Sequence, residues 1–259
     1  MITLTSDFGL KDPYVAEMKG VILTIDPKAK LIDISHEVEK FNIRMAAFTL
    51  ASAATYFPEG TIHLAVVDPG VGTERRAILI QTEKSIFVGP DNGILILAAQ
   101  NQGIKHAYRL TNQAFMLPKI SGTFHGRDVF APAAAHLDKG TSPDKFGPEI
   151  NDLIKPEFAE VKKTGGSLIG EIMHIDSFGN IITNINEKDL IRNPAEKVNV
   201  DLHGESLKLT FGKTYGQTKP KEPIALIGSH GFLEIALNQG NVAEKFQAKP
   251  GDKIVVTPV

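Results

Sequence analysis

Residues 61–70 read TIHLAVVDPG, a near-continuous apolar run closed by a turn. Apolar side chains at consecutive rather than alternate positions predict a strand covered on both faces. Such a strand needs helices around it, and the flanking sequence supplies them. Upstream, from Ile43, the set Ala46, Ala47, Leu50, Ala51 and Ala54 repeats at helical spacing and predicts one buried helix face. Before it, KLIDIS (30–35) predicts a strand, and Val15, Met18, Ile22 and Ile25 predict a helix that Pro27 ends. Ile2, Leu4 and Ser6 form a short first strand. Downstream, AILIQTE (77–83) and SIFVGPDNG (85–93) predict two strands joined by a polar turn, and VFAPAAAHL (129–137) a last helix. This alternation predicts an α/β domain with a mostly parallel sheet over residues 1–153.

The texture then changes. KPEFAEVKKTGGSL combines proline, a charge run and a glycine pair, and a connector is expected over 154–166. From 167 to 259 the chain offers short β-like runs: LIGEIMHID, NIITNI, VNVDLHG, ESLKLTFG, PIALIG, LEIAL and DKIVVTP. Turn residues separate them, which predicts a smaller all-β domain, barrel or sandwich.

Of the 259 residues 42% are apolar and 22% charged, the balance of a chain with a real core. The net charge of -2 argues against nucleic acid or an anionic membrane as partner. The absence of cysteine excludes disulfides and thiolate chemistry and fits a reducing compartment. ITLTSDFGL follows Met1 without the basic and apolar regions of a signal peptide, and Glu17 and Lys19 interrupt the most apolar helix. A cytoplasmic location is expected.

Ligands of open α/β sheets bind beyond the carboxyl ends of strands. Three polar, glycine-bearing loops fall there: SDFGLKDP (6–13), DPGVGTERR (68–76) and GPDNG (89–93). A fourth cluster, FHGRD (124–128), precedes the last helix. Together they offer Asp7, Asp12, Asp68, Arg75, Arg76, Asp91, Asn92, His125, Arg127 and Asp128 to one sheet edge. Each residue alone also fits a turn, a helix cap or a solvated surface. DFG at position 7 has no kinase context before it, and GVGTER lacks the lysine of a phosphate loop. His63, His125, His136 and His174 share no zinc-site spacing, whereas the aspartate-rich loops leave magnesium open.

Taken together and in order, SDFGLKDPY, DISHEV, YFPEGTIHLAVVDPGVG, GPDNG, FHGRDVFAP, DSFGNIITN and GSHGFLEIAL resemble one family. It is that of the S-adenosyl-L-methionine (SAM) hydroxide adenosyltransferases, relatives of the SAM-dependent fluorinases and chlorinases. The resemblance implies an α/β domain, a β domain, and a homotrimer with SAM sites between subunits. It implies hydrolysis of SAM, as substrate and with no cofactor, to adenosine and L-methionine. The implied catalytic set is Asp68, Arg75 and His125. Asp7 would hold the ribose hydroxyls and Phe41 wall the ribose. Asp12, Asp176, Ser229 and His230 would meet the methionine end, Asn180 the adenine edge, and Phe178 and Tyr215 its faces. The chain departs from the halogenases at Asp68, a tyrosine there, and at Val71 and Gly126, a threonine and a serine there. His230 and Leu237 replace two arginines.

The chemistry suits the residues. A sulfonium carries its own neutral leaving group, so only a nucleophile must be supplied and aligned. Water, with a pKa of about 15.7, is a weak one. The expectation is that Asp68 orients the water while the positive field of Arg75 and a donating His125 activates it. Halogenation, a metal-dependent phosphoesterase built on Asp7, Asp12, Asp68 and Asp91, and a non-catalytic SAM-binding regulator are the alternatives.

Overall fold

The structure is a computed structural model and describes residues 1–190 and 196–258. Residues 191–195 and 259 of the expected β domain lie outside the described residues. The chain divides into two compact units, Met1–Lys155 and Pro156–Val259.

The first unit runs β1 (Ile2–Ser6), α1 (Tyr14–Ile25), β2 (Leu31–Ser35), α2 (Ile43–Ala54), β3 (Ile62–Val66), β4 (Ala77–Thr82), β5 (Ile86–Pro90), α3 (Ile96–Asn101), β6 (Ile104–Arg109) and α4 (Ala131–Asp138). Its sheet has the order β2-β1-β3-β5-β4-β6. β1 pairs in parallel with β2 and β3, and β3 with β5, whereas β4 is antiparallel to both neighbours. Five of the six strands therefore point one way, as the α/β reading expects. All five residues of β3 are buried. Ile2, Leu4, Ile62, Leu64 and Val66 pack with Met18 and Ile22 of α1 and Ala131, Ala134 and Leu137 of α4. The alternate residues Thr3, Thr5, His63 and Ala65 are equally buried, so β3 is indeed covered on both faces. Asn42 caps α2, its side chain accepting from Met45 N–H at 2.9 Å.

Two elements of the first unit escaped the sequence reading. α3 has six residues, too few to show a period, and β6 is largely exposed and polar. The last helix is preceded by one π-helical turn, Gly126–Phe130, which sits at the FHGRD cluster.

The second unit runs β7 (Lys162–Thr164), β8 (Ser167–Ile175), β9 (Ile181–Asn186), β10 (Lys197–Leu202), β11 (Glu205–Gly212), β12 (Pro223–Ile227), β13 (Phe232–Leu237), α5 (Val242–Phe246) and β14 (Lys253–Pro258). The strand order β14-β10-β11-β12-β13-β9-β8 closes on itself through β14–β8, with β7 added on β8. Of the two β architectures expected, the closed barrel is the one present. Ile172, Ile181, Val198, Val200, Leu233, Ile235 and Ile254 fill it. The segment expected as a connector holds a 3-10 turn at Glu157–Ala159 and the strand β7.

Candidate active site

The chain leaves β1 for β2 on one side and later returns to β3 on the other, so the carboxyl ends of β1 and β3 flank the point where strand order reverses. Ser6 lies in register with Val66, and Asp7 and Asp68 therefore emerge from adjacent strand ends at the place where α/β sheets bind ligands. A cavity of about 330 Å³ opens there, bordered by Asp7, Phe8, Tyr14, Lys40, Phe41, Val66, Asp68, Val71, Thr123, Phe124, His125 and Gly126. The FHGRD cluster reaches it because the two loops touch. Gly72 has φ +76°, and a Cβ there would lie 2.2 Å from the Gly122 carbonyl oxygen. Only glycine permits that approach.

Asp68, Arg75 and His125, separated in sequence, form one chain of contacts. Arg75 grips Asp68 with both arms of its fork: Nε donates to Oδ1 at 3.0 Å and Nη2 to Oδ2. The same Nη2 lies 3.2 Å from His125 Nδ1. A guanidinium only donates, so Nδ1 accepts and the imidazole proton resides on Nε2. The His125 pKa is lowered by burial first and by the Arg75 charge second, with Asp68 and Asp128 opposing. The ring is therefore neutral at neutral pH. The positive field expected of Arg75 and His125 together thus comes from Arg75 alone, while His125 keeps an Nε2–H donor. Arg75 packs over the Phe130 ring at 5.3 Å, and its Nη1 is buried without a hydrogen-bond partner among the described residues.

Asp7 is buried, and its Oδ2 accepts from the Phe41 N–H at 2.9 Å. That bond holds Phe41 at φ +64°, a conformation a large side chain adopts only under constraint. Lys40 Nζ donates to the Asp7 main-chain oxygen at 3.2 Å. DISHEV fastens the same loop: His36 Nδ1 lies 2.7 Å from Ser6 Oγ, and the His36 carbonyl accepts from Gly9 N–H at 2.8 Å. Asp12 is exposed on this loop and does not border the cavity. Gly126 is crowded, since a Cβ there would meet Phe124 at 3.0 Å and Met18 Sδ at 3.3 Å.

The other loop candidates are ties. Asp91 accepts from Arg76 Nε at 2.8 Å and from Ile154 N–H at 3.0 Å, and Arg76 also donates to Asp152 at 2.7 Å. Asp91, with both oxygens engaged and off the cavity, is not available to the phosphoesterase set. Asn92 Nδ2 donates to the Val67 carbonyl at 2.8 Å, steadying the backbone just before Asp68. Asp128 accepts from Arg127 Nε at 2.7 Å and Ser121 N–H at 2.8 Å, and Arg127 reaches Glu17 at 2.8 Å. Sequence reasoning missed Phe8, Tyr14 and Phe124 on the cavity wall, although the first two lie inside the SDFGLKDPY motif.

In the barrel unit, Asp176 organises the β8–β9 turn. Its Oδ1 accepts from the Phe178 and Asn180 N–H groups and its Oδ2 from Asn180 Nδ2, all at 2.9 Å. Asn180 is buried, while Phe178 is 76% exposed. Ser229 and His230 sit in the turn between β12 and β13, closed by Gly228 N–H donating to the Phe232 carbonyl at 2.9 Å. Tyr215 Oη donates to Glu234 Oε1 at 2.7 Å, and burial followed by that carboxylate pushes the phenol up to about 12. Glu234 is buried and its pKa raised, by desolvation first and with Asp176 adding, while Tyr215 and His230 oppose. Glu234, a charge in the middle of the apolar run LEIAL, is the site neighbour that the sequence signalled without its being read.

A part-buried carboxylate–guanidinium–imidazole chain bordering a cavity at the switch point of an α/β sheet, in a chain that adds a β barrel, defines a two-domain enzyme of small-molecule chemistry. The chain belongs to the SAM hydroxide adenosyltransferase family, whose N-terminal domain matches residues 2–147 and whose C-terminal domain matches residues 170–255. An (R)-S-adenosyl-L-methionine hydrolase of Methanocaldococcus jannaschii is 38% identical, over 99% of this chain and 95% of that protein. One of Thermus thermophilus is 39% identical over 95% of each. A fluorinase of an Actinoplanes species is 26% identical over 99% and 97%. A crystal structure of an uncharacterized conserved protein from Thermotoga maritima superimposes with a TM-score of 0.87 at 37% identity, covering 99% of this chain and all of that one. The family resemblance and fold class read from the sequence are borne out.

Proposed function

We propose that this protein hydrolyses SAM to adenosine and L-methionine by displacement at the ribose 5′ carbon. The observation that carries the reading is the Asp68–Arg75–His125 chain on the wall of the cavity that also holds Asp7. The near full-length relatives named as SAM hydrolases support it, at 35–39% identity against 25–26% for the fluorinases.

In this reading the Asp68 carboxylate accepts from a water and aims its lone pair at C5′. As the O–C5′ bond forms, the C5′–S bond breaks and its electron pair stays on sulfur, leaving neutral methionine. The water proton passes to Asp68 and then to solvent. Arg75 holds Asp68 in one orientation and lends positive potential, while His125 donates through Nε2–H to the attacking oxygen. Alignment alone is worth up to about 7–11 kcal/mol where the reacting atoms are held near 3 Å. Asp7 binds the ribose hydroxyls beside Phe41. The methionine end falls to Asp12, Asp176, Ser229 and His230, and the adenine to Asn180, Phe178 and Tyr215. SAM is the substrate, and the scheme needs no cofactor or metal. The working assembly is a cytoplasmic homotrimer with SAM sites between subunits, which light scattering of the purified protein tests.

The decisive assay incubates enzyme with SAM and identifies products by mass spectrometry, with and without fluoride or chloride. Adenosine and methionine are expected under all conditions. A 5′-halogenated nucleoside, or activity that chelator abolishes and magnesium restores, contradicts the proposal. Bound but intact SAM points instead to a non-catalytic sensor.

A further inference from the structure

The charges bordering the cavity cancel. Asp68 is paired by Arg75, Lys40 brings its positive charge to the Asp7 loop by donating to the Asp7 main-chain oxygen, and His125 is neutral. A cationic ligand entering here finds no net negative charge to draw it in. It does find an aromatic wall. Phe8, Tyr14 and Phe124 all border the cavity and pack on one another, with centroids 5.8 Å apart for Phe8–Tyr14, 5.6 Å for Phe8–Phe124 and 5.3 Å for Tyr14–Phe124. The two pairs involving Phe124 are edge-on. Such rings present negative potential at their faces and bind soft, weakly hydrated cations without a carboxylate. Arg127 already uses Phe124 in this way, its guanidinium 5.1 Å from the ring centroid. Tyr14 is the most open of the three at 45% exposure.

We propose that the Phe8–Tyr14–Phe124 wall reads the positive charge of the substrate, with Tyr14 the specificity-determining residue for a sulfonium over a neutral thioether. The inference rests on the SAM reading of the cavity and deepens it. Its logic extends to turnover. The sulfonium charge disappears as the C5′–S bond breaks, so the rings hold the substrate more firmly than the transition state or the neutral methionine product. A ring-for-aliphatic exchange therefore raises KM without lowering kcat, and the wall loses its grip on methionine once the reaction is done. A carboxylate in the same place would compete with Asp7 for the ribose hydroxyls and with Asp68 for Arg75, which the rings avoid.

Two unreactive probes separate charge from shape: sinefungin, which carries an ammonium where SAM has sulfonium, and S-adenosyl-L-homocysteine, the neutral thioether. Calorimetry on the wild-type protein should find sinefungin bound about tenfold tighter, the scale of one desolvated cation–ring contact. Tyr14→Leu should bring the ratio close to one and raise KM for SAM while leaving kcat undiminished. Tyr14→Phe, which restores the ring, should recover the ratio. Both probes binding with the same ratio in wild type and in a folded Tyr14→Leu overturns the role of the wall while leaving the SAM reading intact. Neither probe binding the wild type sinks the SAM reading, and this inference with it.

Discussion

Arg75 is the hub through which the chemistry of the site is set. By holding both oxygens of Asp68 it fixes that carboxylate, and by donating to His125 Nδ1 it fixes the imidazole tautomer. Asp68→Ala should therefore lower kcat by about 10²–10³-fold, the scale of one lost group that acts in the transition state, with KM for SAM changing only a few-fold. Equal losses in both would assign Asp68 to binding. Asp7→Ala should do the reverse, weakening SAM about ten- to hundredfold by calorimetry, since charge-assisted bonds are worth about 1.5–3 kcal/mol. Protonating His125 puts a hydrogen on Nδ1 against the Arg75 N–H. With its pKa held below the ordinary 6.5, kcat/KM should stay level from about pH 8 to about 6.5 and fall only in more acid solution. A limb near pH 7 or above contradicts a neutral His125. Asp68, Arg75, His125 and Asp7 were legible because their motifs stand in a fixed order along the chain. The neutrality of His125 was not, because it depends on which nitrogen Arg75 reaches across fifty residues.

At the scale of elements, β3 does two jobs. It carries Val66 and the turn to Asp68, and it buries His63 completely, stacked on Phe87 at 4.9 Å with Thr3 Oγ1 2.8 Å from Nδ1. Burial pushes His63 down to about 4 from 6.5. A folded-state pKa below the unfolded one means that the unfolded chain takes up the proton first. Stability should be full above about pH 6.5 and decline as pH falls toward 4, by at most about 3 kcal/mol. Urea melts at pH 7.5 and 4.5 measure it, and His63→Leu should remove much of the difference. An unchanged difference in that variant would place the acid sensitivity elsewhere. The strand itself was readable because a near-continuous apolar run of seven residues closed by DPG leaves few alternatives. α3 and β6 were not, one being a turn and a half long and the other an edge strand whose exposed residues carry no pattern.

For the whole molecule, the change of texture near residue 150 told of two units, and seven of the eight strands among the described residues of the second were visible as separate runs. What no local pattern carries is which strands meet at the ends. Barrel and sandwich share the same alternation, and the β14–β8 pairing that closes the ring joins segments about eighty residues apart. Phe8, Tyr14 and Phe124 were hidden for the same reason, since each reads as ordinary core until the loops of β1 and the π-turn come together. All of this serves one claim, that a water held by Asp68, Arg75 and His125 attacks C5′ in line with the departing sulfur. The most direct test is turnover of SAM stereospecifically deuterated at C5′ in ¹⁸O-enriched water. The account predicts adenosine with ¹⁸O on the 5′ carbon and inverted configuration. Retention of configuration, or adenosine whose 5′ oxygen does not come from solvent, would contradict it.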